Sequence, residues 1–130
     1  MAYSATLIDH FHNPRNAGMM RDPDGVGEGE YKGCMDPARF YLRVRGGRVV
    51  EARLQTYGCG PTIAASSAAT EPAAGQGLEE LASLREESVE AAVGGLPEER
   101  RHAAEVVALA MRAAAGDALL QLQTRRPGTA

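Results

Sequence analysis

A chain of 130 residues, 44% hydrophobic and 24% charged, can bury roughly two-thirds of the surface its unfolded form exposes, so one ordinary core is expected without disulfide staples. Its net charge of −3 argues against a dedicated nucleic-acid binder, which carries a basic balance. Two cysteines make no disulfide framework, no basic start leads into an apolar run, and the apolar stretch AAEVVALAMRAAA is broken by Glu105 and Arg112; a cytoplasmic protein with reduced thiols and no membrane span is expected.

In chain order, SATLIDHFHNPRN reads as a short helix. Ser4 is its N-cap, Leu7, Ile8 and Phe11 form an apolar stripe, His10 and His12 fall on the polar face, and Asn13-Pro14 ends it. A loop rich in Gly, Asp and Pro follows, with a weak strand signal around Val26–Lys32. From Ala38 the period becomes two, with Phe40, Leu42 and Val44 alternating against Arg39, Tyr41 and Arg43. Gly46-Gly47 signals a hairpin, and RVVEARLQTY returns with Val50, Ala52 and Leu54 on one face.

Beyond Tyr57 the pattern turns helical. TIAASSAATE follows Pro61, which fits a first helical turn, and Pro72 is its stop. LEELASL and EESVEAAV read as short helices before Gly94-Gly95. The longest helix is expected from about Glu98 to Gln123, burying Val106, Leu109, Ala110 and Ala113 and leaving Arg100, Arg101 and Arg112 in water. Strands followed by helices indicate an α+β fold, read as one domain over 1–123 with TRRPGTA, 124–130, as a disordered tail.

Four residues could carry chemistry. Cys59 lies between two glycines at a strand end, just before a helix whose free N–H groups favour a thiolate, the form that binds metal or attacks sulfur. Its plain alternative is a small apolar filler. Cys34, in the loop KGCMDPARF, has Asp36 two residues on; such a pair also arises by chance as a loop cysteine beside a turn aspartate. His102 sits at the edge of the long helix's apolar face, where a lone histidine is more often structural than a ligand. As a set, two sulfurs, an imidazole and a carboxylate suit a tetrahedral zinc or iron site.

Two segments, YSATLIDHFHNPRNAG and TYGCGPTIAASSAATE, give the chain a strong resemblance to the iron–sulfur cluster assembly scaffolds of the IscU / NifU N-terminal type, from about Tyr3 to Ala115. The resemblance implies a three-stranded antiparallel sheet with helices packed on one face. It makes Cys59 an exposed cluster ligand and sulfur acceptor, Cys34 the first cluster cysteine, Asp36 the aspartate that tunes cluster release, and His102 the histidine before a third cysteine. That third position is Ala103 here. Clusters are held mainly by thiolate, so the remaining ligand must come from His102, Asp36 or an outside thiol. Met35 replaces a glycine beside the site, and a Leu-Pro-Pro-Val-Lys chaperone-recognition segment is matched only as LPEER, Leu96 to Arg100.

The function implied is a non-enzymatic scaffold or carrier that takes sulfur from a cysteine desulfurase and holds iron or a labile [2Fe–2S] cluster. Apo-protein acceptors and a chaperone are the further partners, and a homodimer could supply the missing thiolate. Two other readings stay open: a zinc- or iron-binding regulator of the desulfurase that builds no cluster, and a metal-free interaction module or dithiol redox protein. The redox reading requires Cys34 and Cys59 with Cα atoms within roughly 7 Å.

Overall fold

The computed structural model describes residues 3–29, 37–56 and 59–129, with side chains as far as Thr124. Alternating apolar and polar side chains give two long strands, β2 (Ala38–Arg45) and β3 (Arg48–Thr56), joined at Gly46-Gly47, both at positive φ. A short strand, β1 (Gly25–Gly29), pairs with β2, so the sheet is antiparallel throughout in the order β1-β2-β3. The helices are α1 (Ala5–His12), α2 (Gly60–Ala73), α3 (Leu78–Ala82), α4 (Glu86–Ala92) and α5 (His102–Thr129), the last preceded by a 3-10 turn over Glu98–Arg100. This is the expected α+β architecture, a three-stranded antiparallel sheet with its helices on one face.

β1 explains how the long helix lies so close to the sheet. A Cβ on Gly25 would come within 2.4 Å of Ala114 O, one on Gly27 within 2.1 Å of Ala114 N, and one on Gly29 within 2.7 Å of Val106 O. Three glycines on one face of the strand thus let the backbone of α5 rest directly on it, and the small residues Ala110, Ala114 and Ala118 complete the contact. Around this seam the core gathers Phe40, Leu42, Val49, Leu54, Leu78, Leu81, Val89, Val107 and Met111.

The other sheet face is crossed by the chain between α1 and β1. Asn16 and Gly18 pair with Leu54 at the outer edge of β3, and the chain reaches β1 only by passing over β2. Arg43 fastens this strap by donating to the carbonyl oxygens of Arg21 and Asp22, and Met20 is buried. Tyr41, on the polar face by alternation, is consequently only 5% exposed and donates to Gln55 Oε1 at 2.9 Å.

Four sequence expectations are corrected. Between Arg43 and Val44 the register slips, so Val44 faces Val49 and Val50 becomes the extra residue of a β-bulge. Val49 is therefore buried, while Val50 is 48% exposed. On α5, Leu109 and Ala113 are exposed, because β1 and β2 on one flank and α2 and α3 on the other cover Val106, Val107, Ala110, Met111 and Ala114 instead. On α1 the inward pair is Leu7 and His10; Ile8 and Phe11 are exposed. Arg112 is half-buried and donates to Leu84 O at 2.7 Å rather than facing only water.

Candidate functional site

The start of β2 and the end of β3 meet at one end of the sheet. Ala38 is in register with Thr56, and Thr56 Oγ1 donates to Pro37 O at 2.6 Å. Both cysteine-bearing segments of the sequence adjoin this end. Cys34 and Asp36 lie outside the described residues.

Cys59 occupies the N-cap of α2, with extended backbone angles (φ −71°, ψ 169°), and its carbonyl accepts from the Ile63 N–H at 3.0 Å. Its side chain makes no capping bond; Sγ is 3.4 Å from Thr62 Oγ1 and half-buried. Pro61 follows in the first turn, where a missing N–H costs nothing. Gly60 has a packing reason for its lack of a side chain, since a Cβ there would lie 3.2 Å from Phe11 Cε1. Phe11 is thus spent on the backbone beside the cysteine, with the His12 ring edge-on at a centroid distance of 5.2 Å. No local pattern signals this, because Phe11 reads as core.

His102 opens α5 and is half-buried, while Ala103 beside it is fully buried. Two residues upstream, Arg100 is within electrostatic reach of Cys59. The Tyr3 hydroxyl is the largest influence holding its guanidinium above the usual arginine value, and its Nε–H is buried without an acceptor. Arg100 was expected in open water and is instead half-buried. Among the described residues, no three His, Cys, Asp or Glu side chains gather as a metal site.

Two to three helical turns along α2, a second polar group is closed off. His10 Nδ1 is 2.7 Å from Ser67 Oγ, and His10 Nε2 is 3.3 Å from Glu71 Oε1. The Glu71 carboxylate can only accept, which places the proton of the neutral ring on Nε2 and leaves Nδ1 to accept from Ser67 Oγ, itself the acceptor of the Arg15 N–H at 2.7 Å. Burial pushes the His10 pKa down, helped by the Arg15 charge and opposed by Glu71 and Asp9. This bond set fastens α1 to α2 below Cys59.

Residues 2–123 match the family described as NifU-like N terminal domain. The chain is 41% identical over 115 residues to the iron-sulfur cluster assembly scaffold protein IscU 1 of Archaeoglobus fulgidus, covering 88% of this chain and 75% of that protein. It is 38% identical over 121 residues to the IscU scaffold protein of Azotobacter vinelandii, covering 90% and 94%. Its fold is that of the N-terminal NifU-like protein of Brucella abortus, with a TM-score of 0.67, 21% identity and 94% of each chain covered. On the family match and the identity to these relatives, the chain belongs to the NifU-like N-terminal domain family.

Proposed function

We propose that this chain is an iron–sulfur cluster assembly scaffold that accepts sulfur from a cysteine desulfurase at Cys59 or Cys34 and passes the finished cargo to apo-proteins. Iron or a labile [2Fe–2S] cluster would be held by Cys34, Asp36, Cys59 and His102. The cluster is cargo rather than a resident cofactor, so the chain turns over no substrate of its own and is not an enzyme. The observation that carries the reading is Cys59: a half-exposed thiol at the N-cap of a 14-residue helix. A helix N-terminus favours a bound anion, thiolate or sulfide alike.

Ala103 favours a second reading. With a buried methyl where the family resemblance places a third cysteine, this chain offers two thiolates, and two cysteines with a histidine and a carboxylate suit one zinc or iron ion. That protein would regulate the desulfurase without building clusters. Iron and acid-labile sulfide measured anaerobically, before and after incubation with iron, cysteine and a desulfurase, separate the two. The scaffold reading expects equal iron and sulfide, both lost in Cys59→Ser. Zinc alone, with no sulfide taken up, would establish the regulator, and absence of both metal and sulfide would overturn either role.

A further inference from the structure

The last turns of α2 present only small groups to α3 and α4. Ala69, Pro72 and Ala73 bound a cavity of about 550 Å³ whose other walls include Leu81, Leu84 and Val89. Ligand pockets commonly measure roughly 300–1,000 Å³, and the buried Leu81 and Val89 give this one an aliphatic floor. Across α4 lies a second hollow of about 330 Å³, bounded by Glu87, Glu90, Ala91 and Gly95; Ala91 lines both.

The surroundings are acidic. Residues 78–92 hold five glutamates and one arginine, more negative charge than the whole chain's net of −3. The cations at hand are held loosely. Arg85 reaches Glu87 at 3.5 Å and Arg101 reaches Glu90 at 3.7 Å, both from mostly exposed side chains. Such surface pairs contribute little, so an incoming cation can take their place. An apolar cavity beside an acidic hollow is complementary to a basic segment with one apolar anchor, and the same charge repels nucleic acid.

We propose that the α3–α4 face docks a basic segment of a partner protein, which seats one apolar side chain in the cavity at the end of α2 and lays lysine or arginine on Glu87 and Glu90. The 14 residues of α2 put this surface about 21 Å along the helix from its Cys59 end, so a segment docked there leaves the thiol uncovered. The docking goes beyond the scaffold reading and does not depend on what Cys59 binds.

The probe is a fluorescein-labelled synthetic peptide of alternating lysine and alanine with a central phenylalanine, titrated with the whole chain and read by fluorescence anisotropy. Two control peptides change the phenylalanine to alanine, or every lysine to glutamate. Losing the anchor is expected to weaken binding at least about tenfold, as burial of one aromatic side chain predicts, and the glutamate peptide is expected not to bind. Glu87→Lys combined with Glu90→Lys is expected to weaken the parent peptide about tenfold, and added salt to weaken it in the unaltered chain. Ala91→Phe, at an exposed position that lines both hollows, is expected to block the peptide while leaving the fold intact. Amide chemical shifts locate the contact, expected within residues 69–73 and 81–92, with Cys59 unmoved. No binding, equal binding by the alanine or glutamate peptide, or shifts centred elsewhere overturns the proposal. So does self-association that Ala91→Phe abolishes, which would assign this face to a second copy of the chain. Because no metal or sulfur enters the measurement, the scaffold reading can fail without affecting this result.

Discussion

His10 has both ring nitrogens engaged, by Ser67 and Glu71, and burial holds its pKa below the ordinary histidine value of 6.5. In the unfolded chain the same ring titrates at its ordinary value, so just below that pH the unfolded state binds more protons than the native one. Stability therefore falls on acidification through this window, by at most about 1.4 kcal/mol per pH unit from this group. Denaturant midpoints measured from pH 7 to 5 are expected to drop, and His10→Gln, which takes no proton, is expected to flatten that slope. The charged groups facing the ring are Glu71, Asp9 and Arg15. A histidine three residues from Leu7 on a short helix could have been read as inward-facing. Polarity argued otherwise, because the hydroxyl and carboxylate that receive it lie on α2, 57 and 61 positions on.

Among the elements, β1 was the faintest in sequence and is among the most constrained in structure. Glycine weakens a strand taken alone, so GVGEG carries little local signal. The contact with α5 reverses that penalty, since any side chain at Gly27 meets helix backbone, which cannot rotate aside. Gly27→Ala is expected to lose about 3 kcal/mol, at the upper end for overpacking, by urea unfolding. The hairpin of β2 and β3, by contrast, was plain in the alternation and in Gly46-Gly47; only the slip that turns Val49 in and Val50 out was not. α1 was equally plain: Ser4 Oγ accepts the Leu7 N–H at 2.9 Å, as its place in the sequence suggested, and also donates to Val93 O at 2.6 Å. Gly94, at φ +80°, leaves the space that this second bond requires.

Across the whole molecule, the sheet's edges are closed by segments from elsewhere. Asn16 and Gly18 bond to Leu54, while Gly75 and Gln76 bond to Val49, so β3 is covered along both of its ends. At the opposite edge the Val26 N–H donates to Asp117 Oδ2 of α5 at 2.9 Å, and Gln121 steadies the same oxygen. Such closure keeps a small sheet from pairing with other chains. Asp117→Ala orphans the Val26 N–H and is expected to cost about 1–3 kcal/mol, read from denaturation midpoints.

The sequence by itself determined the α+β class, the hairpin, the capped first helix and the two segments that mark the family, among them the glycine-flanked Cys59. These are written in short spacings, where period, cap and turn chemistry act between neighbours. Tertiary structure alone decided that His10 is buried, that Phe11 lies on Gly60, and that a strap covers Tyr41. Each depends on a partner far away in the chain, and local periodicity says which residues share a face but not what will be packed against it.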